Sequence, residues 1–163
     1  MKQNFRIGSG YDVHAFESER PLVLGGVHIP FDRGLKGHSD ADALLHSVCD
    51  ALLGALALGD IGKHFPDTDP KYKNIDSKIL LKQTYGLIKD HGYEICNLDS
   101  TIVIERPKMA PYIDMMRKTI AELLGCGVEQ VSVKATTSEK MGFVGLEEGA
   151  KVFATVLLQK SEA

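Results

Sequence analysis

The sequence predicts an α+β fold: a single domain with one mixed, largely antiparallel sheet and helices packed on one face. Three observations predict it. The chain has 163 residues, enough for one real core and too few for two comfortable ones. Segments of period 2 and period 3.6 run in the order strands, helix, helix, strand, helix, strand, strand, which neither alternates strictly nor segregates fully. The last strand is apolar at Ala150, Val152, Ala154, Val156 and Leu158, but Phe153 and Leu157 lie on its opposite face. A sheet apolar on both faces needs cover on both, and helices on one face leave the other to another subunit.

Taken in order, Phe5 to Phe16 reads as extended. Pro21 to Ile29 is a short apolar run whose Gly25-Gly26 pair marks a hairpin turn or a bulge. Phe31 to His38, rich in Gly and charge, reads as a loop. Ser39 to about Leu58 reads as a helix, with Ser39 as N-cap and Asp40 and Asp42 in a first turn that favours negative charge. Its Leu44, Leu45, Val48, Leu52, Ala55 and Leu56 recur at helical spacing and face the core. Gly59 to Tyr72 is a loop holding Pro66 and Pro70. A second helix spans Asp76 to His91, with Leu80, Leu87 and Ile88 inward and Gly92 as its stop. Leu98 to Glu105 is a strand with Leu98, Ile102 and Ile104 on one face. Met109 to Leu124 is a third helix, with Pro111 in its first turn and Gly125 at its end. Val131 to Thr136 and Ala150 to Leu158 are strands separated by a Gly-rich segment.

Composition narrows the function. The formal net charge of -3 argues against nucleic acid as the main partner. It leaves room for a small phosphorylated ligand. Cys49, Cys96 and Cys126 are odd in number and widely spaced, so they form neither a disulfide framework nor a thiolate metal site. No signal peptide is visible, and no apolar run approaches the roughly 20 residues of a membrane span. A cytoplasmic protein with no membrane partner is expected.

Five segments carry chemistry. Asp12 and His14, two apart on a strand, face the same way. They are either a hydrogen-bonded pair or part of a metal site. Asp42, His46 and Asp50 line one helix face at i, i+4, i+8, which is either a solvated ladder or a source of ligands. His46 beside Asp12 and His14 would complete a two-His, one-carboxylate set with a fourth position open, the pattern of catalytic zinc. Asp42 or Asp50 could then orient His46. Asp60-Ile61-Gly62 and Phe65-Pro66-Asp67-Thr68-Asp69 make either proline-fixed Asx turns or a substrate loop. Arg106-Pro107-Lys108-Met109-Ala110 is either a plain strand-to-helix turn or a site where backbone N–H groups meet an anion or a base edge. Thr136-Thr137-Ser138-Glu139 fits a capping box or, with hydroxyls beside a carboxylate, a diphosphate with its cation. Dinucleotide, P-loop and hydrolase-elbow fingerprints are absent.

Together the segments R-I-G-S-G-Y-D-V-H-A-F, G-G-V-H-I-P, H-S-D-A-D, A-L-G-D-I-G-K-H-F-P-D-T-D-P, P-K-M and V-K-A-T-T-S-E-K-M-G-F resemble the 2-C-methyl-D-erythritol 2,4-cyclodiphosphate synthase family, from Arg6 to Leu158. The resemblance implies a homotrimer with active sites between subunits and a CDP-linked substrate, 4-CDP-methylerythritol 2-phosphate. It implies zinc on Asp12, His14 and His46, and magnesium or manganese on the diphosphate beside Glu139. His38 and Thr137 would stabilise the transition state. His38, Ser39, Asp60 to Gly62 and Phe65 to Asp69 would surround the methylerythritol part. Ile104, Glu105, Arg106, Pro107, Lys108, Met109 and Ala110, with Thr136, Thr137, Ser138 and Glu139, would hold cytidine and its phosphates, and Asp12, His14 and Phe143 would also touch substrate. Many members carry an Arg three residues after the Phe of the last segment, near the end of the trimer's channel. Here that residue is Leu146, and no role is carried onto it. A zinc phosphohydrolase and a binding protein with a structural metal are the competing readings.

Overall fold

The computed structural model describes residues 4–162. Its main sheet has five strands, and the first is long because the alternation begun at Phe5 continues unbroken. This strand, β1 (Phe5–Ser18), pairs with the last strand, β7 (Gly149–Lys160), antiparallel from Phe5↔Gln159 to Ala15↔Gly149. β5 (Tyr93–Val103) lies antiparallel on the other side of β7, and β6 (Val131–Thr136) completes that edge parallel to β5. At the opposite edge β4 (Arg33–Leu35) pairs with the end of β1, giving the order β4-β1-β7-β5-β6. The mixed, largely antiparallel sheet agrees with expectation. A separate hairpin joins β2 (Leu22–Leu24) to β3 (Val27–Ile29).

The helices α1 (Ala43–Ala55), α3 (Ser77–Asp90) and α4 (Ile113–Leu124) cover one face, with the four-residue α2 (Ile61–His64) and α5 (Gly142–Gly145) in the connections. Even-numbered residues of β1 and β7 point at this layer, so Ala150, Val152, Ala154, Val156 and Leu158 are buried with Leu45, Val48 and Leu52 of α1. The opposite face carries Ile7, Tyr11, Val13 and Phe153, all exposed, with the Tyr11 and Phe153 rings 5.1 Å apart. Among the described residues, no helix is long and apolar enough to cross a membrane.

Local chemistry moved several boundaries. α1 begins at Ala43, not Ser39, because Ala41 holds a left-handed backbone (φ 56°) that no helix continues through. The N-cap is therefore Asp42, and neither Asp40 nor Asp42 sits in the first turn. The helix stops at Ala55, and Ala57 again has positive φ. Gly25 and Gly26 both take positive φ, 61° and 73°, so the pair is a hairpin turn and not a bulge. Asp42 joins these two features: it accepts from Leu45 N at 3.0 Å and from Gly25 N and Gly26 N at 2.9 and 2.7 Å. Burial pushes its carboxyl up to about 6, against the pull of the three N–H groups. Asp42→Ala leaves three backbone donors without their acceptor and removes the cap. Urea denaturation is expected to show a loss of about 2–4 kcal/mol.

Leu87 is only half-buried. The inward face of α3 is instead Leu80, Leu81, Thr84, Tyr85 and Ile88. β5 starts five residues before Leu98, and a bulge between Ile95 and Asn97 breaks the alternation that would have marked it. β4 and α2 fall in stretches read as loops, and each is four residues or fewer. The third helix opens with a 3-10 turn, Ala110–Tyr112, and closes on Gly125 at φ 61°. No capping box forms at Thr136: Glu139 and Lys140 both have positive φ, and Ser138 O instead closes a turn with Met141 N.

Candidate functional site

Glycine brings the strand and the first helix together. A Cβ at Gly10 would lie 1.9 Å from Ser47 O, and one at Gly8 1.9 Å from Ala51 O. With no side chain at either position, α1 lies against the backbone of β1. His46, on α1, thereby reaches Asp12 and His14, on β1. The three offer ligand atoms within 4.8 Å of one another, the only such group of His, Cys, Asp and Glu among the described residues.

The hydrogen bonds around this group set its chemistry. His14 Nδ1 donates to Lys36 O at 2.7 Å, which leaves Nε2 facing Asp12 Oδ2 at 2.9 Å. His46 Nε2 lies 2.8 Å from Ser77 Oγ and 3.2 Å from Ser39 Oγ, and its Nδ1 faces the same Asp12 oxygen at 3.1 Å. With each far nitrogen spent on an acceptor, each near nitrogen turns a lone pair toward a carboxylate. Acceptors that converge so closely need a proton or a cation between them. Two imidazoles and one carboxylate, with no thiolate, suit a divalent ion such as zinc and leave positions for an outside ligand. In the metal-free protein protons do part of this work. Burial would raise the Asp12 carboxyl, yet the hydrogen bonds from His14 and His46 outweigh it and hold the group at about 2. Burial likewise disfavours the His14 imidazolium, but its bond to Asp12 raises the pKa above the ordinary value.

Asp42 and Asp50 do not orient His46. Asp42 is wholly buried in its cap, and Asp50 accepts from Ile61 N at 2.7 Å, fixing the start of α2. Ser77 and Ser39 take that place.

Two cavities flank the fold. One, of about 400 Å³, is lined by His14, His38, Ser39, His46, Ile61, Gly62, Phe65 and Asp67, together with Gly37, Tyr72, Ile75 and Leu80, which the sequence did not single out. His38 Nε2 sits 3.4 Å from Asp69 O. Asp60 and Asp69 cap short turns, accepting from Lys63 N at 2.9 Å and Lys71 N at 3.0 Å. Neither they nor Pro66 and Thr68 line the cavity.

The second cavity, of about 660 Å³, is lined by the run Ile104 to Ala110 and by Thr136 and Thr137, with Phe31, Ile113 and Ala135 added by the fold. Its rim is braced. Glu105 accepts from Ser138 N and Lys140 N, both at 3.1 Å, tying the cis Arg106–Pro107 turn to the segment after β6. Arg106 is held bidentately by Glu147 at 2.9 and 2.8 Å, and Arg33 reaches the same carboxylate at 3.2 Å while lying over the Phe16 and Phe31 rings. Ser138, Glu139 and Phe143 stand outside this lining. Glu139 N donates to Thr137 Oγ1 at 3.3 Å, and Lys151 Nζ lies 5.9 Å from the Phe143 ring centroid.

The two cavities share no residue. His14 on β1 is level with Ala150, and Thr136 lies three strands away on β6. At about 4.8 Å per strand the separation across the sheet is roughly 14 Å.

Fold and site together define an α+β protein with a candidate divalent-metal centre in one cavity and a second cavity built on a strand-to-helix turn. The chain belongs to the YgbB family, whose model matches residues 5–159. A Geobacillus thermodenitrificans protein named 2-C-methyl-D-erythritol 2,4-cyclodiphosphate synthase is 60% identical over 159 residues, 98% of this chain and 99% of that one. A Bacillus cereus protein of the same name is 58% identical over 156 residues, 96% and 99% of the two chains. Among solved structures, the bifunctional IspDF from Campylobacter jejuni matches with TM-score 0.94 and 45% identity, over 97% of this chain and 43% of that longer one. The CDP complex of IspF from Plasmodium falciparum matches with TM-score 0.87 and 35% identity, over 99% and 100% of the two chains.

Proposed function

We propose that this protein is an enzyme that converts 4-CDP-2-C-methyl-D-erythritol 2-phosphate to 2-C-methyl-D-erythritol 2,4-cyclodiphosphate and CMP. The reaction makes it a phosphorus–oxygen lyase of non-mevalonate isoprenoid precursor biosynthesis. The observation that carries the reading is the convergence of Asp12, His14 and His46, the two histidines on a cavity wall, in a chain about 60% identical to a protein of that name.

An oxygen of the 2-phosphate attacks the β-phosphorus. A new P–O–P link closes the ring, the bond from the β-phosphorus to the oxygen of the α-phosphate breaks, and CMP leaves with that oxygen. No water enters. Zinc held by Asp12, His14 and His46 would supply Lewis-acid polarisation and alignment of a phosphate oxygen. Glu139, with the substrate's phosphates, would take a magnesium or manganese ion. His38 and Thr137 donate to the charge that gathers on the pentavalent phosphorus, a role that needs position and polarity only. His38, Ser39, Asp60 to Gly62 and Phe65 to Asp69 enclose the methylerythritol part. Ile104 to Ala110 and Thr136 to Glu139 hold the cytidine and its phosphates, with cytosine read by backbone groups near Lys108 and Met109, and Phe143 also touches substrate.

His38 and Thr137 line different cavities of one chain. The reading therefore sets the metal cavity of one copy against the nucleotide cavity of a neighbour, in a homotrimer. The open sheet face, with Ile7 72% and Phe153 46% exposed, supports burial against further copies. Three unpaired cysteines suit a reducing, cytoplasmic setting.

Incubation of the metal-replete protein with the substrate should release CMP, and phosphorus NMR should show the cyclic diphosphate. Unchanged substrate sinks the proposal. Oxygen-18 from solvent in the product would make the protein a hydrolase. A fourth protein ligand on the metal would make the site structural.

A further inference from the structure

His46 reaches the metal centre through Nδ1, so the direction of every hydrogen bond at its other nitrogen decides whether Nδ1 carries a free lone pair. Ser77, the first residue of α3, sits 2.8 Å from His46 Nε2 and is wholly buried. A hydroxyl has one hydrogen to give. Ser77 gives it to Asp40 Oδ1, 2.5 Å away. The same carboxylate accepts from Ser77 N at 3.0 Å and Asp42 N at 3.1 Å, so its charge is pinned by three donors. A carboxylate so placed only accepts, and burial of Ser77 keeps water from taking over the bond. The lone pair of Ser77 Oγ is thus turned to His46 Nε2 as its nearer partner, with Ser39 Oγ second at 3.2 Å.

We propose that Asp40 and Ser77 are positioning residues for the metal centre. Asp40 fixes the Ser77 hydroxyl, Ser77 takes the Nε2 hydrogen of His46, and His46 Nδ1 is held ready to ligate. This rests on the metal-centre reading above. The chain Asp40–Ser77–His46 also joins three separate segments: the turn before α1, α1 itself and the start of α3. His14 has the simpler arrangement, with Lys36 O alone fixing its ring. Outer partners of this kind raise ligand basicity and lock ring orientation, and their loss costs roughly 10–100-fold in metal affinity.

The test is zinc affinity of the full chain, by competition with a chromophoric chelator, for wild type, Ser77→Ala, Asp40→Asn and the double variant. Ser77→Ala should bind about 10–100-fold more weakly. Asp40→Asn, which leaves one oxygen for three donors, should lose about tenfold. The double variant should bind no more weakly than Ser77→Ala, since both act through one hydrogen bond. Proton NMR of the zinc-loaded wild type should show a slowly exchanging His46 Nε2–H, which exchanges faster and shifts in Ser77→Ala, where only the longer bond to Ser39 Oγ remains. A change in packing alone would not move that signal while the metal stays bound. CMP binding, on the other cavity, checks that each variant is folded. Unchanged zinc affinity in Ser77→Ala, an additive double variant, or an Nε2–H signal with unchanged shift and exchange would overturn the positioning role. A wild type that binds no zinc would instead overturn the metal-centre reading and this inference with it.

Discussion

Replacing Gly10 with alanine is expected to cost at least about 3 kcal/mol of stability, at the top of the range for overpacked cores, and to empty the proposed metal centre. The new Cβ would meet backbone on two residues: Ser47 O at 1.9 Å and Ala51 N at 2.9 Å. Backbone cannot rotate aside as a side chain can, so α1 must lift from β1. The same helix faces Gly8, where a Cβ would lie 2.6 Å from Ala55 N, so the lift cannot be absorbed one turn further on. His46 is the neighbour of Ser47, and its 3.1 Å approach to Asp12 moves with the helix. Urea denaturation reads the first effect, and zinc content after dialysis reads the second. Gly86→Ala is the matched control. That glycine lies within α3, a Cβ there would meet nothing within 4 Å, and a gain of about 0.5–1 kcal/mol is expected. Wild-type stability and full zinc in Gly10→Ala would show that α1 is not seated by the glycines.

The same contact explains what the sequence could and could not disclose. Alternation placed Asp12 and His14 on one side of a strand, and helical spacing put His46 on a helix, as the structure has them. Their meeting depends on helix and strand backbones touching. The visible trace of that is the pair Gly8 and Gly10, two apart on the strand, a signal that also begins a dinucleotide fingerprint. Family resemblance joined the two elements where spacing could not. Asp42 was misread because i, i+4, i+8 spacing carries no information about which residue stands outside the helix and which hairpin lies against it. Ser77 was missed because a serine 31 positions from His46 has no local pattern to mark it. The start of β5 was hidden by a bulge, and β4 by its three-residue length. Periodicity reports regular backbone, and these are the places where the backbone departs from regularity or where contact comes from far along the chain.

Asp12→Asn should reduce CMP release by about 10³-fold or more and weaken zinc binding beyond the roughly 10–100-fold cost of losing a ligand's partner, because it removes the only carboxylate of the proposed metal centre. The side chain keeps its size, so lost packing cannot account for the loss. The metal-free protein supplies an independent readout through pH. Asp12 has its carboxyl held at about 2, below the ordinary 3.8. Its ionised form therefore contributes stability that is full above pH 3.8 and is lost as pH falls toward 2, about 2 kcal/mol in all. His14 titrates in the opposite sense. Its pKa is raised above 6.5, so its protonated form stabilises the fold below pH 6.5, and that contribution is lost as pH rises through the folded value. Burial of Asp42 works against stability as pH rises from 3.8 toward about 6, in wild type and variant alike, so the pair is read as a difference. The gap in denaturation midpoint between metal-free wild type and the Asn variant, which has neither the carboxylate nor its hold on His14, should be widest between about pH 4 and 6.5. Protons and metal compete for the same lone pairs, so zinc should bind more tightly as pH climbs past the His14 transition in wild type. A gap between wild type and Asp12→Asn that does not change with pH would mean that the three side chains are not coupled as their distances require.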